Sequence, residues 1–487
     1  MKIAEYAAYD ATGLAALVAK REIAPRELAR VAAEAIDAVN GDVKAVVETY
    51  PDRIDDLDEK TLADGPSPST PFWGVPFLIK DIGAHLDGRK FECGSRLLKG
   101  YTVQGDSNVG KLFKEAGLNI IGRSNAPEYS IAGTTENALY GNTSTPWRKG
   151  YMAGGSTGGG AAAVASGMVP MAHGSDIGGS IRIPASLCGG VGLKPSRGRV
   201  SAGPRMDEGG WGLAANLAQT KTIRDTAAML DAMSKPQVGD PFVIPKPETS
   251  YAELFKRDAP RLKIAWSAKP VMNAAVDPEV AAAVERTAKL LASHGHEVVE
   301  DHPDFNGAEA SLKMLDVWFF GFADDLDARG AKLGRKPGPD TLEPVTLKIY
   351  EYSKRITQAG FLASHGMMNT MRRKLGVLMA KHDIFLSPTT AHVAEPHGIY
   401  NQGRADLSAE EWLIHGDGPI QFCFPHNIMG TPAISLPLAM HSSGLPIGVQ
   451  LGARPAQEHL LLQLAAMLEQ EMPWKDRVPP LHASRVG

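Results

Sequence analysis

Between residues 10 and 40 the apolar positions recur three or four apart. Ala11-Thr12-Gly13 leads into LAALVAKREI, and Pro25 opens RELARVAAEAIDAVN, with proline where a first helical turn tolerates it. This spacing predicts a pair of amphipathic helices. The period then changes. Gly74-Val75-Pro76-Phe77-Leu78-Ile79-Lys80-Asp81 is a short apolar run closed by charge, which predicts a buried strand. VGKLFKEAGLNIIGR (109–123) reads as a helix, a glycine stop and a strand, and AAAVERTAKLLASHGHEVVE (281–300) repeats that order. GMVPMAHGSD (167–176) is a helix exit into a strand, while DIFLSPTT (383–390) and TPAISLPLAM (431–440) are apolar runs bounded by turn residues. The stretch 234–251 is proline-rich and aperiodic, a connector, and 321–342 is a charged surface helix and loop. No internal repeat is present. Helix and strand alternate through most of the length, which predicts an α/β fold with a mixed sheet.

Composition changes this picture little. At 487 residues, 43% hydrophobic and 22% charged, the chain matches ordinary globular usage. Length alone allows about three domains. With 51 basic against 55 acidic residues the net charge is −4, so nothing points to nucleic acid. Three scattered cysteines, Cys93, Cys188 and Cys423, fit a reduced compartment better than a disulfide framework or a zinc site. The N-terminus lacks an apolar signal core and no apolar run of membrane-spanning length occurs, so the expected location is the cytoplasm, without a membrane.

Candidate chemistry concentrates in residues 154–195, where Ser156 (GGSTGGG) and Ser180 (DIGGSIRIP) each sit in glycine-rich backbone. Such backbone can aim amide N–H groups at a developing negative charge. A serine hydroxyl needs a base, and Lys80 is a candidate if burial keeps its amine neutral. Spacing alone leaves open the commoner fate, a strand-end lysine reaching solvent. Gly154-Gly155-Ser156-Thr157-Gly158 also fits the G-x-S-x-G nucleophile elbow of an esterase, with Ser156 as nucleophile, although TPWRKGYMA is a poor preceding strand. No G-K-[ST] follows the glycines, which argues against a phosphate loop. His294, His296 and His302 lack the helical metal-binding spacing, so no metal is expected.

GGSTGGG, the HGSDIGGSIRIPASLCGGVGLKPS stretch and the GVPFLIKD box together resemble the amidase signature family of serine hydrolases. The two serines lie 24 residues apart, as in that family. The likeness extends to the N-terminal helix pair and to FPHNIMGTPAISLPLAMHSSGLPIGVQLGARPAQEHLLLQLAAMLE, hence to nearly the whole chain. It implies one amidase domain over 1–487: a signature core at about 70–230, a more variable substrate-covering region at about 235–420, and a return to the core at 421–475. The implied fold is a central mixed sheet with helices on both faces. Residue by residue, the resemblance implies Ser180 as nucleophile, Lys80 as general base, and Ser156 as a relay in a cis peptide after Gly155. The N–H groups of Ile177, Gly178, Gly179 and Ser180 would form an oxyanion hole. Ser175, Asp176 and Arg182 would brace the site, with Thr157 where many relatives carry a second serine.

The implied reaction is amide C–N hydrolysis through an acyl-enzyme, without cofactor, by a monomer or homodimer acting on a small amide or carbamate (urethane). Esters pass through the same tetrahedral oxyanion. A glutamine-hydrolysing subunit of a tRNA-dependent amidotransferase is an alternative, but Ile183 and the SAGPRMDEGGWGLAAN loop depart from that pattern. The 200–215 and LPIGVQL segments look closest to the branch of nylon-oligomer hydrolases and broad amidases. Met206, Trp211, Trp318, Phe319 and Asn427 are candidate substrate-binding residues, favouring an apolar or aromatic substrate.

Overall fold

The computed structural model describes residues 1–63, 65–272, 274–304 and 307–485. Its strands are β1 (Val46–Thr49), β2 (Pro76–Lys80), β3 (Asn119–Ser124), β4 (Glu136–Asn137), β5 (Gly141–Asn142), β6 (Met171–Asp176), β7 (Val191–Lys194), β8 (Ala215–Thr220), β9 (Lys263–Trp266), β10 (Glu297–Glu300), β11 (Ile384–Pro388), β12 (Ala433–Met440) and β13 (Pro446–Ala453). All but the short β4–β5 pair join one 11-stranded sheet in the order β1-β3-β2-β6-β8-β7-β12-β13-β11-β9-β10. The sheet is mixed. β2 runs parallel to both β3 and β6, and β9 parallel to β10 and β11, while the centre from β6 through β8, β7, β12 and β13 is antiparallel.

The apolar runs behave as their periods dictate. Every residue of β2, β3 and β11 is buried. Phe77 on β2 meets Phe113 of the helix Asn108–Glu115 with ring centroids 4.7 Å apart; a fully buried side chain of this size contributes about 1.5–3 kcal/mol. The helix Pro25–Val43 buries Leu28, Val31, Ala32, Ala35, Ile36 and Val39, one face of a 3.6-residue period. The preceding helix stops at Ala19, where the chain turns through Arg21 at φ 60°. Further helices pack onto the sheet: Gly158–Ala165 on β6, Ile223–Met233 on β8, and Glu458–Glu471 on β12 and β13. The 234–251 connector runs without regular structure to the helix Tyr251–Leu254, and 321–342 forms the helix Phe322–Lys332 and a loop.

Candidate active site

Two parallel strand ends create the site. Lys80 is the last residue of β2, and Ser175 and Asp176 end its parallel neighbour β6. Side chains at the carboxyl ends of adjacent parallel strands converge on a crevice. Because Lys80 closes an apolar run, its side chain stays in the core at 1% exposure. Its Nζ lies 2.8 Å from Ser156 Oγ and 3.0 Å from Ser175 Oγ. Burial draws the amine down to about 7, against the pull of the Asp176 carboxylate toward the charged form. The Lys80 backbone N–H donates to His173 Nδ1 at 3.3 Å, so the ring proton falls on Nε2, facing Asn216 Oδ1 at 3.1 Å. Burial holds that histidine near 3, hence neutral.

Ser156 is 1% exposed, and the Gly155–Ser156 peptide is cis. Gly155 fits because backbone crowds it: a Cβ there would lie 2.5 Å from Ala132 O and 2.6 Å from Thr134 N. Thr157 joins the two serine loops, its N–H donating to Ser180 O at 3.2 Å and its hydroxyl to Ser175 O at 3.3 Å.

The loop Ile177–Ser180 turns between β6 and the helix Arg182–Cys188. At Gly179, φ is 132° and a Cβ would come 2.6 Å from Cys423 Cβ, so both conformation and space require glycine. Asp176 organises this turn. It accepts the Gly179 N–H at 2.8 Å and the Ile181 N–H at 3.1 Å, and pairs with Arg182 through Nε at 3.0 Å and Nη2 at 2.9 Å. Burial alone would raise the Asp176 carboxyl, but Arg182 outweighs it and holds the group well below the usual carboxylate range. The expected set of four oxyanion donors is therefore corrected in one respect. The Gly179 N–H points at Asp176, because a buried carboxylate must be satisfied locally.

Ser180 is half-buried and opens onto a cavity of about 160 Å³. Gly155, Ile177, Gly178, Trp318 and Phe319 share its lining with the 129–133 segment. Other expected substrate residues lie elsewhere. Met206 is 55% exposed and does not line the cavity. Trp211 packs against Phe361 at 4.8 Å while its neighbour Gly210 lines the cavity. Asn427 is buried behind the Ile177–Ser180 loop, donating to Asp176 Oδ1 at 2.8 Å and accepting from Arg182 Nη2 at 2.6 Å. The lining residues Tyr129 and Ser130 went unread, since their only local mark is an unusual pair of positive φ angles, 52° and 58°. A larger cleft of about 470 Å³, bounded by Tyr9, Trp147 and Trp474, touches neither serine.

The elbow expectation for Ser156 fails on geometry. The residues before it form only isolated bridges rather than a strand, and the side chain beside its hydroxyl is Lys80, not histidine. The three histidines at 294–302 do not converge: His296 Nδ1 accepts from the Leu262 N–H, while His302 Nδ1 faces Ser267 Oγ. Among the described residues no helix is long and apolar enough to cross a membrane.

Known proteins resemble this chain over nearly its whole length. A family model described as Amidase matches residues 27–462. The 6-aminohexanoate-cyclic-dimer hydrolase of Pseudomonas sp. (strain NK87) is 36% identical over 485 residues, covering 97% of this chain and 96% of that protein. The acylamidase of Rhodococcus erythropolis is 33% identical over 475 residues, covering 96% and 97%. A solved structure of 6-aminohexanoate cyclic dimer hydrolase complexed with substrate superposes with a TM-score of 0.91 at 33% identity, covering 98% of this chain and 99% of that one. With the match running the length of the sheet and of the serine loops alike, the chain belongs to the amidase signature family and is a hydrolase of amide C–N bonds.

Proposed function

We propose that the chain cleaves small amides through an acyl-enzyme on Ser180, with Ser156 as proton relay and Lys80 as general base. One observation carries this reading: a buried lysine amine, drawn down to about 7, lies 2.8 Å from Ser156 Oγ, while the hydroxyl that opens onto the cavity is that of Ser180. Neutral Lys80 takes the proton of Ser156 as Ser156 takes that of Ser180, and Ser180 Oγ attacks the carbonyl carbon. The N–H groups of Ile177, Gly178 and Ser180 receive the oxyanion. The relay then returns the proton to the leaving nitrogen, which is needed because an amide anion leaves poorly. Water attacks the ester so formed, its proton passing to the relay, and frees the acid. Asp176, Arg182 and Asn427 position the loop and act through it.

The same chemistry extends to carbamates and esters, and the cavity suits substrates with apolar chains. We place the enzyme in the cytoplasm as a monomer or homodimer working without cofactor or metal. The test is mass spectrometry of the full chain after reaction with an activated acyl ester. The expected result is an acyl adduct on Ser180, and a Ser180→Ala variant with neither adduct nor turnover. An adduct on Ser156, or wild-type turnover by Ser180→Ala, would overturn the reading.

A further inference from the structure

The ladder between β2 and β6 stops short of the site. It pairs Phe77 with Met171 and Leu78 with Ala172 and then ends, although β2 runs on to Lys80 and β6 to Asp176. On its other side β2 stays paired with β3 as far as Lys80 opposite Ser124. Successive N–H groups of a strand point to alternate neighbours. The Asp81 N–H donates to Ser124 O at 3.2 Å, on the β3 side, so the Lys80 N–H faces the side where the ladder has ended. A buried backbone donor with no acceptor is rare and costly. Here a side chain supplies the acceptor, His173 Nδ1 at 3.3 Å.

His173 follows the last paired residue, Ala172, and is wholly buried. Its ring is held from two elements. Phe113 of the helix Asn108–Glu115 meets it edge-to-face with centroids 5.4 Å apart, and Asn216 of β8, the cross-strand partner of Ser175, places Oδ1 3.1 Å from Nε2. A backbone N–H can only donate, so Nδ1 is bare and Nε2 carries the proton. The absence of charge matters. A carboxylate in this position would also accept the N–H, but its negative charge beside the amine would favour the ammonium form. Asp176, at the end of the same strand, already pulls Lys80 that way, and Lys80 is itself the charge that faces His173.

We infer that His173 is a positioning residue for the base: its neutral imidazole takes the Lys80 N–H in place of a strand carbonyl, so that β2 and β6 part while Lys80 Nζ stays between Ser156 and Ser175. His173 acts through the Lys80 backbone and bonds to neither serine of the relay. This rests on the proposed role of Lys80 as general base, yet the two can fail separately.

The experiment compares two substitutions in the full-length enzyme, with an acyl para-nitroanilide as substrate. His173→Phe keeps a ring against Phe113 and removes the acceptor, whereas His173→Asn puts an amide oxygen where Nδ1 stood. In His173→Phe kcat is expected to fall about 10–100-fold with KM near the wild-type value, the mark of a misplaced catalytic group rather than a lost substrate contact. The acid limb of kcat/KM should also move to higher pH, because water reaching a loosened Lys80 relieves the burial that draws its amine down. His173→Asn should recover most of kcat and return the limb to its place. An unmoved limb in His173→Phe, or the same loss in both variants, overturns the inference and leaves His173 a packing residue. Should His173→Phe not fold, the ring nitrogens of the wild type decide, read by NMR on isotopically labelled histidine and assigned by the signal missing from His173→Asn. A proton on Nε2 throughout the working range supports the inference, and a proton on Nδ1 overturns it. Failure of the general-base reading looks different: Lys80→Met then keeps the wild-type limb, whatever His173 does.

Discussion

Two lysines end buried strands of the same sheet, Lys80 on β2 and Lys194 on β7. Each is 1% exposed and each is drawn down to about 7, chiefly by burial. Their surroundings differ. Lys80 Nζ sits between the hydroxyls of Ser156 and Ser175, whereas Lys194 Nζ donates at 2.8 Å to the carbonyl of the adjacent Pro195. Arg182 and Arg197 add to the depression at Lys194, and Asp176 and Glu458 oppose it. A depressed amine is thus a property of depth in the sheet. A base additionally needs a proton donor within hydrogen-bond reach, and one of the two has it.

The sharpest way to break this contrast is to remove each amine while keeping its volume. Lys80→Met is expected to lower kcat by about 10²–10⁴-fold, the range for a positioned acid–base group. Lys194→Met, judged in the same steady-state assay, is expected to keep turnover within an order of magnitude. Equal losses would dissolve the distinction. The next effect is on pH. In the proposed mechanism Lys80 works as the neutral amine, so kcat/KM should fall roughly tenfold per unit as pH drops below about 7 and level off above it. The Lys194→Met profile should keep that limb and the residual activity of Lys80→Met should lose it; a limb that follows Lys194 instead would reassign the base. The smallest effect belongs to the bracing behind the loop. Asn427→Ala removes a donor to Asp176 and an acceptor from Arg182, and denaturant unfolding should register a loss of about 1–3 kcal/mol. Unchanged stability would show the Asp176–Arg182 pair to be self-sufficient.

Much of the fold was legible along the chain. The strand that ends in Lys80 is a run whose apolar character requires burial, and the helix Pro25–Val43 carries its buried face in its spacing. The candidate site was legible where local backbone chemistry marks it, in the glycines around Ser156 and Ser180. It was least legible where function depends on atoms far apart in sequence. Asn427 looked like a substrate contact, and the fold instead gives it to Asp176, 251 residues away. Met206 had the right chemistry for an apolar pocket, but its loop leaves it in solvent. The Gly179 N–H looked like one more oxyanion donor until the Asp176 carboxylate was seen to accept it.

By itself, then, the sequence determined what is set within a few residues: which runs must be buried, where the chain turns, and which loops hold serine among glycines. Tertiary structure alone decided which buried lysine faces a hydroxyl, which serine reaches the cavity and which N–H groups remain for a ligand. The physical reason is range. Burial and turn preferences act through neighbouring backbone, whereas the 2.8 Å between Lys80 and Ser156 spans 76 residues and exists only once β2 and the loop after Gly155 have packed at the same end of the sheet.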